Sequence, residues 1–248
     1  MRLEGKVILI TGGSAGQGKA TALKAAAEGA KIGIGSRNEE NGQAVVEQIV
    51  ENGGEAIFQQ TDVTKADQVL ALVERAEYEF GQLDGAFNSA GIQARLAPIH
   101  RHNLEESQKV VETNFMGVFY SMMYEGKSMS KRKSGSIVNA SAIIGVQGFP
   151  GRAVYCGTKA GVTGMTKCAA LDYANMGVRV NAIAQGPVRT PMLDGETNGQ
   201  PDKIKRYVPM NRIAEPDEIA ELVIWLLSDA SSYVTGQTIG IDGGMSAG

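Results

Sequence analysis

Cysteine, histidine and net positive charge are scarce in this chain, and each scarcity excludes a kind of protein. Two cysteines in 248 residues, Cys156 and Cys168, cannot build a disulfide framework, and both fall in a helical pattern where a reduced thiol behaves as a small hydrophobe. The two histidines, His100 and His102, flank Arg101 with no cysteine or carboxylate cluster at ligand spacing, so no metal site is expected. With 24 Lys and Arg against 27 Asp and Glu, a net charge of −3, there is no electrostatic case for binding nucleic acid or an anionic membrane. No apolar run approaches the ~20 residues that span a bilayer. The opening Met1-Arg2-Leu3-Glu4-Gly5-Lys6 runs straight into Val7-Ile8-Leu9-Ile10 without a signal peptide's basic, apolar and cleavage regions. A cytoplasmic protein with neither nucleic-acid nor membrane partner is expected.

What is present is alternation. Short apolar runs at 6–11, 31–36, 55–60, 84–88, 135–140, 178–184 and 237–241 read as strands. Amphipathic segments near 17–29, 39–52, 65–80, 103–131, 151–176 and 215–228 read as helices. Strand–helix alternation of this kind is the pattern of βαβ units and a parallel sheet, with right-handed crossovers placing helices on both faces. The composition shows no second domain, so one unit over 1–248 is expected. Residues 186–212, with Pro187, Pro191, Pro201 and Pro209 in a polar background, are too long for an ordinary connection. Met192, Leu193, Tyr207 and Met210 favour a lid that closes over something apolar.

The residues that point to chemistry begin after the first strand. Gly12, Gly16 and Gly18 in Thr11-Gly12-Gly13-Ser14-Ala15-Gly16-Gln17-Gly18 let a turn tighten and a pyrophosphate approach the backbone at a helix N-terminus. Their spacing differs from the general dinucleotide fingerprint. Strand 2 closes in Gly35-Ser36-Arg37-Asn38. An acidic residue there would hold a free ribose 2′-hydroxyl, whereas Arg37 suits a 2′-phosphate, so NADP is preferred, with NAD possible. Tyr155 and Lys159 lie four apart on a predicted helix and project from one face, so the ammonium can favour the ionised phenol. Alone, the pair fits equally a half-buried ring beside a solvated lysine.

Taken in order, Thr11-Gly12-x-x-x-Gly16-x-Gly18, Asn88-Ser89-Ala90-Gly91, Asn114, Ser141 and Tyr155-x-x-x-Lys159 resemble the motifs of the short-chain dehydrogenase/reductase family. Asn181-Ala182-Ile183, Thr190-Pro191 and Ile241-Asp242-Gly243-Gly244 extend the likeness to the C-terminus. The resemblance implies a single-domain, doubly wound α/β fold of Rossmann type with a seven-stranded parallel sheet, and NAD(P)-dependent interconversion of alcohols and carbonyls. It implies a catalytic tetrad of Asn114, Ser141, Tyr155 and Lys159. Cofactor contacts are implied at Gly12, Ser14, Gly16, Gln17, Gly18, Arg37, Asp62, Val63, Asn88, Ala90, Gly91, Tyr155, Lys159, Val188 and Thr190. There are two departures. Ser89 replaces the family's second asparagine, and Gln185-Gly186-Pro187 replaces its usual Pro-Gly after strand 6.

A carbonyl reduced by hydride needs a proton, and a phenol serves as its donor only when its acidity is tuned. Tyr155 is expected to move that proton, Lys159 to lower its pKa and grip the nicotinamide ribose, and Ser141 to hold the substrate oxygen. In the family the asparagine carries a relay water. The expected pocket wall of Ile143, Gln147, Phe149, Gln93, Met192 and Tyr207 is mostly apolar, and Arg95, Arg152 and Arg189 are expected to be exposed. A small neutral carbonyl or alcohol fits best. The alternatives are an NAD-dependent alcohol dehydrogenase of the same fold, or a cofactor-binding regulator without turnover. Ala160, Gly161 and Gly164 admit close helix packing, and the family's assemblies suggest a homotetramer or homodimer.

Overall fold

A computed structural model describes residues 1–247. Seven strands form one parallel sheet: β1 (Val7–Thr11), β2 (Lys31–Ser36), β3 (Glu55–Gln60), β4 (Gly85–Asn88), β5 (Gly135–Ala140), β6 (Val178–Gln185) and β7 (Thr238–Ile241). Their order across the sheet is β3-β2-β1-β4-β5-β6-β7. β1 reads Val-Ile-Leu-Ile-Thr and is buried throughout, as a central parallel strand covered on both faces must be.

The helices are α1 (Gly16–Ala27), α2 (Glu39–Glu51), α3 (Ala66–Phe80), α4 (Leu104–Val111), α5 (Gly117–Arg132), α6 (Ala153–Tyr173), α7 (Pro191–Glu196) and α8 (Pro216–Leu227). Period-two alternation along the strands sends successive side chains to opposite faces. Ile8, Ile10, Ile32, Ile34 and Val138 pack with Ala22 and Ala25 of α1 and Ile219, Val223 and Leu227 of α8. Val7, Leu9, Ile137 and Val180 pack on the other face with Leu72 of α3, Met122 of α5 and Val162 of α6. Each large apolar side chain so buried contributes roughly 1.5–3 kcal/mol. Pro216 opens α8, and the Glu218 carboxylate accepts from the Glu215 N–H at 2.9 Å, which satisfies one of the free donors of that helix end.

The segment expected as one helix over 103–131 is α4 and α5 joined by a π turn at Glu112–Met116. Residues 186–212 are not structureless: they contain α7 and a 3-10 turn at Pro201–Tyr207. No described helix is long and apolar enough to cross a membrane. The chain leaves β1 toward β2 on one side, while β4 pairs with β1 on the other. This reversal opens a crevice at the carboxyl ends of the strands, where ligands bind in open α/β sheets.

Candidate active site

A cleft of about 730 Å³ follows that crevice from Arg37 to Tyr207. At its centre the turn after β1 bends through Gly12 (φ 71°) and Gly16 (φ 52°) into α1. A Cβ on Gly12 would lie 2.8 Å from the Ala90 backbone nitrogen, so only glycine fits there. Ala15 precedes α1 and has no side chain to cap it, which leaves the first-turn N–H groups to an outside anion. Ser14, Gly16 and Gln17 line the cleft. Gly18 does not. A Cβ on it would fall 2.3 Å from the Gly12 oxygen, so Gly18 supports the loop from behind.

Ser36, Arg37, Asp62 and Val63 line one end. Arg37 is exposed, and its guanidinium makes no hydrogen bond or ion pair with the described residues. The Asp62 carboxylate accepts from the Thr64 N–H at 3.0 Å and its hydroxyl at 2.9 Å, which fixes the turn after β3. Ala90 and Gly91 line the cleft, but Asn88 does not. Its amide turns inward and donates to the Glu125 carboxyl at 2.9 Å and to Asn139 Oδ1 at 3.0 Å. The expected contact through Asn88 is corrected accordingly: its side chain belongs to the interior. Glu125 is fully buried with Oε1 unpartnered, and burial pushes its carboxyl up to about 8 against the Asn88 hydrogen bond.

Tyr155, on the first turn of α6, lines the cleft and is 7% exposed. Lys159 lies one turn further, with Nζ 5.7 Å from the centre of the Tyr155 ring and donating to the Ala140 carbonyl at 2.6 Å. Asn114 sits in the π turn and grips the Ile92 backbone from both sides, accepting its N–H at 2.8 Å and donating to its C=O at 2.8 Å. π turns of this kind recur at functional sites. Asn114 and Lys159 do not line the cleft. They converge behind Gly91, whose missing Cβ would lie 3.3 Å from Asn114 Oδ1 and 3.8 Å from Lys159 Nζ.

Two expectations fail at this centre. First, the Tyr155 phenol is not depressed. Burial pushes it up to about 12 while Arg152 pulls it down, and burial pushes the Lys159 ammonium down to about 8. Lys159 Nζ is turned to the Ala140 carbonyl, and burial dominates the phenol's acidity. Second, Ser141 does not face the cleft. It is fully buried, and its hydroxyl donates to the Lys159 carbonyl at 2.9 Å beside Thr163 Oγ1 at 3.2 Å. The cause is strand parity. Asn139, two residues earlier, already points at Thr166 of α6, and Ser141 shares its face. Ala142 lines the cleft instead, packed with Tyr155.

Ile143, Ile144, Phe149, Met192 and Tyr207 form an apolar wall, while Gln147 is exposed and outside it. Arg189 pairs outside the cleft with Asp202 at 3.0 Å and Glu215 at 3.2 Å, and Arg95 is exposed. Arg152 is the exception. It is 7% exposed in the cleft wall, donates to Gln93 Oε1 at 2.7 Å and pairs with Glu196 at the end of α7. Nothing in the sequence pairs residues 152 and 196. Gln185 also lines the cleft, with its Oε1 buried and unpartnered. The replacement of Pro-Gly was the one signal that pointed to it. Val188 and Thr190 line the wall below α7, and a Cβ on Gly16 would lie 3.0 Å from the Thr190 methyl.

A family profile described as enoyl-(acyl carrier protein) reductase matches residues 12–246. With the sheet order and the Tyr155–Lys159 pair, this identifies the class: the chain belongs to the short-chain dehydrogenase/reductase family, oxidoreductases that interconvert alcohols and carbonyl compounds. Among its relatives, a 2,5-dichloro-2,5-cyclohexadiene-1,4-diol dehydrogenase of Sphingobium indicum is 40% identical over 250 residues, spanning 99% of this chain and 98% of its own. A 3-oxoacyl-(acyl-carrier-protein) reductase of Thermotoga maritima is 41% identical over 245 residues, 99% of each chain. The crystal structure of levodione reductase superposes with a TM-score of 0.96 at 36% identity, covering 99% of both chains.

Proposed function

We propose that the protein is an NADP-dependent oxidoreductase that reduces a small neutral ketone to a secondary alcohol, with Tyr155 as the proton donor. The observation that carries this reading is a buried phenol on the wall of a cleft whose centre is a glycine turn and an uncapped helix start. Arg37, with no partner of its own at the cleft end, favours a cofactor with a 2′-phosphate over NAD. The nicotinamide, when bound, supplies the hydride.

The residues do the rest. A phenol held near 12 is protonated at neutral pH and is ready to give its proton to a developing alkoxide. Lys159 donates one N–H to the Ala140 carbonyl and keeps two donors for ribose hydroxyls, while its charge, predominant at neutral pH, steadies the tyrosinate left after transfer. Asn114 retains a second lone pair and a second amide proton beyond those engaged by Ile92, enough to hold a relay water. Gly12, Gly16 and Gln17 receive the pyrophosphate, and Asp62, Val63, Ala90 and Gly91 border the adenosine end. Val188 and Thr190 border the nicotinamide end.

The substrate reading is a neutral, compact carbonyl compound. Ile143, Phe149 and Met192 offer it apolar surface, and Arg152, matched by Glu196, offers no free charge for a carboxylate. The 2,5-dichloro-2,5-cyclohexadiene-1,4-diol dehydrogenase named above carries a cyclic substrate in its name, in keeping with this choice. Residues 186–212 act as a lid on the single catalytic unit. Exposed Phe119, Met123 and Leu171, beside small exposed positions such as Ala160 and Gly164, form the face through which α5 and α6 pair in a homodimer or homotetramer. Gly161 is excluded from that face, since its space is taken by the Phe115 ring. Free Cys156 and Cys168 suit the reducing cytoplasm.

The test is Tyr155→Phe assayed with NADPH and a panel of cyclic ketones. NADPH should still bind while turnover falls by about 10²–10⁴. Retention of most of the activity overturns the mechanism, and NADH rates equal to those with NADPH overturn the cofactor assignment.

A further inference from the structure

If Tyr155 gives the proton, the substrate oxygen also needs a second hydrogen-bond partner to fix it and to bear its developing charge. Ser141 cannot be that partner. Its hydroxyl is committed to the Lys159 carbonyl on the far side of β5, and the residue at the cleft is Ala142, which has no polar side-chain atom. No cleft hydroxyl other than Tyr155 comes from the region where β5, β6 and α6 meet. Ser36, Thr61 and Thr190, for example, are elsewhere on the wall and donate to the carbonyls of Asn38, Gln59 and Val188.

One polar group is placed there without an assigned task. β5 and β6 pair in register up to Ala140 opposite Ile183, and the Ser141 N–H still donates to the Ile183 carbonyl at 2.9 Å. Ala142 lies two residues beyond Ala140, where β5 ends, and Gln185 lies two residues beyond Ile183, at the end of β6. Both line the cleft, and Ala142 packs against Tyr155. The Gln185 carboxamide makes no hydrogen bond with any described residue, and its Oε1 is buried. An unpaired buried acceptor costs about 1–3 kcal/mol, a cost that an alcohol hydroxyl donating to Oε1 removes.

Building on the reading of Tyr155 as proton donor, we propose that Gln185 is a catalytic residue that hydrogen-bonds the substrate oxygen in place of the missing hydroxyl. In oxidation Oε1 accepts from the alcohol hydroxyl. In reduction, turning the amide over presents its NH₂ to donate to the carbonyl and then to the forming alkoxide. The proton itself passes between Tyr155 and the substrate, so Gln185 neither gains nor loses one. A carboxamide therefore serves both directions, and Gln185 offers the cleft a polar group where Ala142 has none.

The test compares wild type with Gln185→Met, which keeps the length of the side chain and removes its donor, and with the double variant Gln185→Met/Ala142→Ser. Turnover of NADPH with a ketone is measured alongside NADPH affinity by calorimetry, and thermal melting checks that each variant is folded. We expect Gln185→Met to lower kcat about 10- to 10³-fold with NADPH affinity within about twofold, and the added serine to recover at least tenfold. Unchanged kcat, or a loss confined to NADPH affinity, overturns the proposal. Should the wild type itself turn over no ketone, the reading of the Tyr155 site fails rather than the role of Gln185. Gln185→Ala provides a second, smaller substitution if the methionine does not fold.

Discussion

Replacing Glu125 by glutamine tests the buried interior behind the cleft. Glu125 lies at 0% exposure on α5, with Oε2 accepting from Asn88 and Oε1 unpartnered, and burial raises its carboxyl from 4.5 to about 8. Between those values the folded protein holds a proton that the unfolded chain has lost, so stability falls as pH rises. At about 1.4 kcal/mol per pH unit, the loss between pH 5 and pH 8 is on the order of 3–4 kcal/mol. Glutamine keeps an acceptor for the Asn88 amide and has no proton to lose, so its variant lacks this decline. Tyr173, whose ring is close to Gly126, keeps its proton through this range, its phenol being raised mainly by burial. Lys159, lowered by burial to about 8, acts in the opposite sense: it adds stability as pH climbs above 8 toward its unfolded value, outside the window. Urea unfolding at pH 5, 6, 7 and 8, followed by the fluorescence of Trp225, the one tryptophan, gives the two profiles. Parallel profiles for wild type and Glu125→Gln would refute the assignment of a protonated buried carboxyl.

Ser141→Ala should cost about 1 kcal/mol by removing one of the two hydroxyls that donate to the buried Lys159 carbonyl, with kcat changed only a few-fold; a loss of several orders of magnitude would return Ser141 to the reacting centre. Arg37→Ala should raise the KM for NADPH about 10- to 100-fold, as expected for losing charge-assisted hydrogen bonds worth about 1.5–3 kcal/mol, and leave that for NADH unchanged; equal shifts would refute a 2′-phosphate contact. Glu196→Gln uncovers the guanidinium of Arg152 in the cleft wall, so carboxylate-bearing ketones should become substrates, with KM at least about tenfold lower than in wild type, given the cost of leaving a buried charge unpaired. If wild type already takes those ketones as well as neutral ones, the neutral-substrate reading fails.

Much of the architecture was legible in the chain. The apolar runs lie within one residue or so of the seven strands, because a strand buried on both faces leaves an uninterrupted apolar stretch bounded by polar turns. The long helix over 103–131 was legible as helix, and the asparagine inside it marked the π turn. The side-chain directions were not all legible. Ser141 and Ala142 are adjacent in Asn-Ala-Ser-Ala, and a one-residue difference in strand parity decides which of them meets the cleft. Polar Asn139 on the α6 side was the clue to that parity. Arg152 looked like a surface charge because its partner lies 44 residues away (196 − 152) on α7, and only folding joins them. The Tyr155 acidity was illegible for a similar reason: helical spacing shows that Lys159 is near, not that folding buries the phenol.

The contact between Gly16 and Thr190 links two segments that the chain separates by most of its length. Gly16 belongs to the turn on which the phosphates rest, and Thr190 starts the helix that roofs the other end. With only 3.0 Å between the place of a first carbon on residue 16 and the threonine methyl, bulk added at one position must be subtracted at the other. Shortening residue 190 would relieve only the crowding, since the positive φ of 52° at residue 16 still favours glycine, so the roof can be widened by design while the turn stays fixed.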